Sequence, residues 1–88
     1  MVVVAKKSFN KDIKKINDVK LANKIKEVIL SVEKANAVTL IYNVKKLKGT
    51  ANAYRIRIGD YRLGFFLINS VVELTVFAHR KEIYKYFP

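Results

Sequence analysis

Arg55, Arg57 and Arg62 are the residues whose type and spacing point to chemistry. They fall in the run Tyr54 to Leu67, where apolar and basic residues alternate up to Ile58, Gly59-Asp60 interrupts them, and alternation resumes. That is the pattern of two half-buried strands joined by a two-residue hairpin turn. Glycine at the first turn position suits type II′. With Gly59 and Asp60 as the loop, Ile58 lies opposite Tyr61, Arg57 opposite Arg62, Ile56 opposite Leu63 and Arg55 opposite Gly64. A period of two then sends Ile56, Ile58, Tyr61, Leu63 and Phe65 toward a core and all three arginines to the other face.

Like charges directly opposite each other destabilise a strand pair by up to roughly 1 kcal/mol. A single arginine there reads as ordinary solvated surface, but three gathered on one face favour an anion site. Phosphate is the anion expected, because the planar guanidinium fork matches phosphate oxygens.

The rest of the composition bounds this reading. The chain has 88 residues, half of them hydrophobic, which predicts one ordered domain spanning 1–88 with a single modest core. Eighteen Lys and Arg against seven Asp and Glu give a net charge of +11. That balance favours nucleic acid, an acidic protein or both as partners. Without cysteine there is no disulfide, thiolate metal site or cysteine nucleophile, and one histidine supplies a metal centre poorly, so no metal and no cofactor is expected. No apolar run approaches the ~20 residues that span a bilayer, and the start lacks the order of a secretory signal. The lysine-rich helices carry ordinary Ile and Val faces, which disfavours a membrane partner. A cytoplasmic protein is expected.

The elements that must position the arginines can be read in order. Val2 to Lys6 is a β-branched run that predicts a strand, with Ser8 as the N-cap of a helix whose stripe is Phe9, Ile13 and Ile16. Asn17-Asp18 caps a second helix that carries Leu21, Ala22, Ile25, Val28, Ile29 and Val32 and runs to about Ala35. The two helices read as an antiparallel pair on one side of a sheet. Asn36 to Val44 has β propensity without alternation and reads as a turn or a short helix, and Asn43 to Asn52 as a basic loop holding Lys45, Lys46 and Lys48. Past the hairpin, Asn69-Ser70 turns the chain again. Phe66 then falls opposite Glu73, Gly64 opposite Thr75 and Arg62 opposite Phe77, with Val72, Leu74, Val76 and Ala78 facing the core. The tail from Ala78 to Pro88 leaves the sheet and coils into one helical turn.

Three motifs together resemble the short toxins of the RelE/ParE family, partners in type II toxin–antitoxin pairs. They are Lys7 to Ile16, then Lys45-Lys46-Leu47-Lys48-Gly49 with Tyr54 to Leu63, then His79-Arg80-Lys81-Glu82-Ile83-Tyr84. They span nearly the whole chain in the family's order. The resemblance implies an α+β fold: an N-terminal strand, a helical hairpin and a three-stranded antiparallel meander in one sheet, with the helices packed on one face. It also implies, from the RelE branch, cleavage of messenger RNA in the ribosomal A site by attack of a 2′-hydroxyl on the adjacent phosphate, under the control of a cognate acidic antitoxin.

The same resemblance carries residues across. Arg55 and Arg57 match the two basic positions of the first hairpin strand, Arg62 the arginine of the Tyr-Arg-Leu motif, Arg80 the arginine near the end and Tyr84 the tail tyrosine. RelE toxins carry lysines at the first pair, one of them proposed as general base. Arginine cannot lose its proton in that role. His79 is the natural substitute, since an imidazole exchanges protons at neutral pH and the register above puts it on the face of Arg57 and Arg62. A strand-end histidine bonded to backbone is the competing reading. Tyr84 can orient a base by stacking or supply a hydroxyl, or else pack as an ordinary aromatic. Arg62, Arg80, His79 and Tyr84 are therefore the expected catalytic set, and Arg55, Arg57, Lys45, Lys46 and Lys48 the expected RNA-binding set. The ParE branch, a gyrase poison without nuclease activity, and a non-catalytic basic RNA-binding module are the alternatives.

Overall fold

The structure, a computed structural model, describes residues 1–88. In chain order the elements are β1 (Val2–Ala5), α1 (Lys7–Lys14), α2 (Val19–Lys34), a 3₁₀ turn at Val38–Leu40, β2 (Val44–Lys46), β3 (Ala53–Ile58), β4 (Tyr61–Ile68), β5 (Val71–His79) and α3 (Ile83–Tyr86). The five strands form one sheet in the order β1-β5-β4-β3-β2. β1 runs parallel to β5 and every other pair is antiparallel. The α+β class expected from the sequence holds, with the N-terminal strand and the three-stranded meander β3-β4-β5 in one sheet, but the sheet gains one further strand beside β3.

That strand, β2, lies within the stretch expected to be a basic loop. Val44 pairs with Ile56, Lys45 with Arg55 and Lys46 with Tyr54. Asn43 makes this possible: its positive φ of 62° turns the chain into the strand, its carbonyl accepts from Arg57 N–H at 3.2 Å, and its side chain donates to the Arg57 carbonyl at 3.4 Å. A three-residue strand without alternation leaves almost no sequence signal.

The hairpin register is the one read from the sequence, from Ile58 opposite Tyr61 to Arg55 opposite Gly64. Gly59 carries a φ of +59° and Asp60 is not left-handed, which agrees with type II′. At the next turn Asn69 and Ser70 are both left-handed, at +50° and +66°, the pattern of type I′.

The β4–β5 register starts as expected, with Phe66 opposite Glu73, and then departs. Phe65 pairs with Leu74 but Gly64 pairs with Val76, so Thr75 is an extra residue, a bulge. Gly64 is therefore not opposite Thr75, nor Arg62 opposite Phe77; Arg62 faces Ala78. One extra residue sends every later side chain to the other face. Phe77 joins the helix-side core with Leu63 and Leu74, and Val76 and Ala78, expected in that core, turn to the opposite face.

Helix α1 holds the bulge in place. β1 ends at Ala5, which leaves the outer edge of β5 unpaired beyond Leu74. Ser8 Oγ donates to the Thr75 carbonyl at 2.5 Å, and Asp12 Oδ2 accepts from Phe77 N–H at 2.9 Å. Ser8 is thus not the N-cap: Lys6 occupies that position, and the serine side chain is spent on the strand edge. Helix α2 begins as expected, with the Asp18 carboxylate accepting from Lys20 and Leu21 N–H.

The main core packs Phe9, Ile25 and Val32 of the helices against Ile56, Leu63, Phe65, Val72, Leu74 and Phe77 of the sheet. A second, smaller core lies on the other face. There Ile83 and Phe87 of the tail pack on Leu47, Ala53 and Val76, so the helices are not all on one face.

Replacing Asp12 with alanine leaves the Phe77 amide without its acceptor on a partly buried edge. Asp12→Ala is expected to lower unfolding free energy by about 1–3 kcal/mol, and Asp12→Asn, which keeps a carbonyl acceptor, by less. Urea denaturation of the two variants checks this; equal midpoints for Asp12→Ala and the parent would contradict it.

Candidate functional site

The face opposite the main core has three parts. Toward β1 it shows Val2 and Val4, both exposed, and at its centre the tail covers it through Ile83 and Phe87. Toward the Gly59-Asp60 turn it presents Arg55 and Arg57 from β3, Arg62 from β4 and Lys45 from β2, aligned by direct pairing of Arg57 with Arg62 and Lys45 with Arg55.

The arginines differ in how firmly they are held. Arg62 Nη1 donates to the Gly59 and Tyr61 carbonyls, both at 2.9 Å, which folds the side chain back over the turn and fixes its guanidinium. Arg80 arrives from the far end of β5: its N–H donates to the Asp60 carbonyl at 2.8 Å and ties the start of the tail to the same turn. Arg55 Nε is buried and has no hydrogen-bond partner. The three ion pairs of the chain all use lysine, so no arginine is neutralised by a carboxylate.

The electrostatics follow from this crowding. Arg62 is held below the ordinary proton affinity of a guanidinium, first by partial burial and then by the charges of Arg55, Arg57 and Arg80, while Tyr84 acts in the opposite sense. Arg62 thus lies within electrostatic range of four side chains that come from β3, the residue after β5 and α3. A protein surface that desolvates one cation and surrounds it with three more is arranged for an anion with several oxygens.

The lysines are distributed differently from the expectation. Lys45 is on the arginine face, but Lys46 pairs with Tyr54 and so belongs to the helix side by register. At the strand's end Lys45, Lys46, Leu47 and Lys48 border a cavity of about 250 Å³ with Tyr84 and Pro88.

His79 is not where the sequence reading placed it. Because Thr75 is a bulge, His79 pairs with Tyr61, on the face opposite Arg57 and Arg62. Its ring packs edge-on against Tyr61 at 5.5 Å, beside the Tyr61–Phe77 stack, and its Nδ1 accepts from Lys81 N–H at 3.2 Å. The backbone-bonded strand-end histidine is the reading that the geometry favours. The adjacent apolar pair Val76-Phe77 is the signal in the sequence that strict alternation breaks before the histidine.

An apolar groove lies elsewhere, about 370 Å³ between α1, α2 and β1 on the helix side, walled by Phe9, Ile13, Ile25 and Ile29. It offers no cluster of cations, and the anion chemistry belongs to the opposite face.

An oxyanion seated among these arginines should relieve their repulsion. Sulfate at constant ionic strength is expected to raise the melting temperature of the parent protein, as binding to the folded state alone must. Arg62→Ala should lose most of that increment and keep the general salting-out part. Equal increments in the two proteins, read by differential scanning fluorimetry, would contradict an anion site here.

With the geometry in place, the chain can be compared with known proteins. No protein-family model matches it. It is 37% identical over 89 residues, the whole of both chains, to Toxin RelE3 of Methanocaldococcus jannaschii. Among solved structures it resembles the RelB-RelE antitoxin-toxin complex from Methanococcus jannaschii, with a TM-score of 0.81, 35% identity and coverage of 97% of this chain and 99% of that one. The YoeB dimer from Staphylococcus aureus shares the fold at 21% identity, with a TM-score of 0.73 over 91% of this chain and 97% of that one. Full-length identity at this level, together with the shared fold, places the chain in the RelE family of toxins.

Proposed function

We propose that this toxin cuts messenger RNA in the ribosomal A site and so stops translation. The observation that carries the reading is the gathering of Arg55, Arg57 and Arg62 on one sheet face, free of carboxylate partners, with Arg80 and the Tyr84 phenol within electrostatic range of Arg62. In the reaction the RNA 2′-hydroxyl loses its proton, its oxygen attacks the adjacent phosphorus, and the bond from phosphorus to the 5′-oxygen breaks. The 5′-oxygen takes up a proton, leaving a 2′,3′-cyclic phosphate and a 5′-hydroxyl. No water is consumed and no redox partner is needed. Negative charge grows on the phosphate oxygens as the fifth bond forms, and fixed cations aimed at that charge lower the barrier.

Arg62, held by two carbonyls, and Arg80, tied to the turn, are the pair assigned to the scissile phosphate. Arg55 and Arg57 position the flanking backbone, and the unpartnered Nε of Arg55 is a donor that a phosphate oxygen would satisfy. Lys45, Lys46 and Lys48 extend the cationic track along the cavity beside Tyr84. His79, on the far face, is withdrawn from proton transfer. Arginine cannot exchange a proton at this pH, so Tyr84 is assigned one of the two transfers and a group of the ribosome the other.

The antitoxin of such a toxin is an acidic segment that folds onto this chain, since +11 on 88 residues sets up a strong attractive field. The similar chain from Methanococcus jannaschii was solved in complex with its antitoxin.

Expression from a tight promoter, with messenger RNA 5′ ends mapped, tests the reading. Tyr84→Phe keeps the ring and removes the hydroxyl, and should slow single-turnover cleavage on ribosomes by ~10²–10⁴-fold. Arg62→Ala should abolish growth arrest while the protein stays folded by circular dichroism. Undiminished arrest by Arg62→Ala, or arrest with intact messages and broken DNA, would overturn the proposal in favour of a gyrase poison.

A further inference from the structure

The tail carries Tyr84 to the arginine face, yet nothing in its own sequence fixes where it lands. α3 has four residues, far fewer than the ~12–15 at which an isolated helix becomes even marginally stable. After Arg80 only Ile83 and Phe87 are buried, at 0% and 2% exposure, and Tyr84, Lys85 and Tyr86 between them are exposed. The two anchors are one helical turn apart, and Phe87 N–H donates to the Ile83 carbonyl at 2.9 Å. The position of Tyr84 is therefore set by whatever holds those two side chains.

Ile83 sits in an ordinary apolar patch of Leu47, Ala53 and Val76. Phe87 has a shaped socket. A Cβ added at Gly64 would lie 2.7 Å from Phe87 Cδ2 and 2.9 Å from both Cε2 and Cγ, closer than such atoms can come. Gly64 is not left-handed, so the strand would accept a side chain there by conformation. What keeps the position bare is the ring itself.

Gly64 lies between Arg55 on β3 and Val76 on β5 in one row across the sheet. On its own strand the next residues on that face are Arg62 and Phe66, and the Phe66 ring walls the socket with centroids 5.0 Å apart. The gap in the row admits one aromatic ring at one place.

We propose that Phe87, seated on Gly64, is the positioning residue that sets the register of the tail and so aims Tyr84 at the arginine face; its catalytic consequence rests on the cleavage reading above. Phe87 needs no contact with RNA in this role. A displacement of about 1 Å in a group that transfers a proton lowers rate by ~10²-fold, even when binding is untouched.

A pair of substitutions of opposing size tests the lock. Gly64→Ala puts a methyl into the ring; it should lower kcat by ~10²-fold with RNA affinity within about twofold, because the arginines that bind the backbone stay on the sheet. Phe87→Leu should lower kcat by about tenfold on the same ground. The double variant Gly64→Ala with Phe87→Leu should cut at least about tenfold faster than Gly64→Ala alone, since the smaller side chain makes room for the methyl. Amide hydrogen exchange supplies a readout independent of cleavage: Lys85 and Phe87 should exchange faster in Gly64→Ala while Val72 and Leu74 of β5 keep their protection. Unchanged tail exchange in Gly64→Ala, loss of protection throughout β5, or a double variant no better than Gly64→Ala would each overturn the lock. If the parent cuts no RNA, the cleavage reading fails by itself, and exchange alone decides whether Phe87 on Gly64 holds the tail.

Discussion

Arg57 and Arg62 face each other beside the two-residue Gly59-Asp60 turn, and most of the fold serves to keep them there. The pairing is unfavourable in itself, by up to roughly 1 kcal/mol, so it persists only because the other face is bound down harder. Ile56, Ile58, Leu63 and Phe65 lie behind the arginines almost without exposure, each contributing on the order of 1.5–3 kcal/mol by burial. Register and face are coupled in a strand pair: the arginines cannot move apart without bringing those apolar residues into water. Hydrophobic burial thus holds a concentration of charge that a partner must discharge.

The remaining cations are delivered to that point by backbone hydrogen bonds from the turn. Gly59 and Asp60 offer carbonyls to the Arg62 side chain and to Arg80 N–H, so the residues that reverse the chain also fix the Arg62 guanidinium and the backbone from which Arg80 projects. Helix α1 contributes from the opposite edge: Ser8 and Asp12 hold the Thr75 bulge, and the bulge decides which of Val76, Phe77, Ala78 and His79 face the arginines. The second core of Ile83 and Phe87 is a consequence, since it needs Val76 turned away from the helices.

The hairpin was legible in the sequence to the residue because its period of two, its Gly-Asp turn and its arginine placement all agree. Asp18 as a cap and the apolar stripes of the helices were legible for the same reason. Two local features broke the reading. β2 is three residues long and is held by a left-handed asparagine, which leaves no periodicity to detect. Thr75 looks like an ordinary strand threonine, and the contacts that hold it as a bulge include bonds from α1, some sixty residues earlier. That one residue moved His79 away from the site and with it the proton-transfer role suggested by its proximity in sequence. Phe87 carried no signal either, because its partner is the absence of a side chain at Gly64. Arg55, Arg57 and Arg62 were legible from the alternation itself, whereas Arg80 and Tyr84 came from family likeness, and in the folded chain both lie within electrostatic range of Arg62.

A double-mutant cycle of Arg57→Ala and Arg62→Ala, read as unfolding free energy in low salt without RNA or antitoxin, tests the central claim most directly. If the sheet holds these cations against their repulsion, removing either one should be less destabilising, or more stabilising, while the other is present. The coupling should be unfavourable by a few tenths to about 1 kcal/mol and should shrink as salt rises toward ~1 M. A coupling of zero, or one that favours the pair, would mean that the arginines sit together without stored repulsion, and the account of this face as a site waiting for an anion would be wrong.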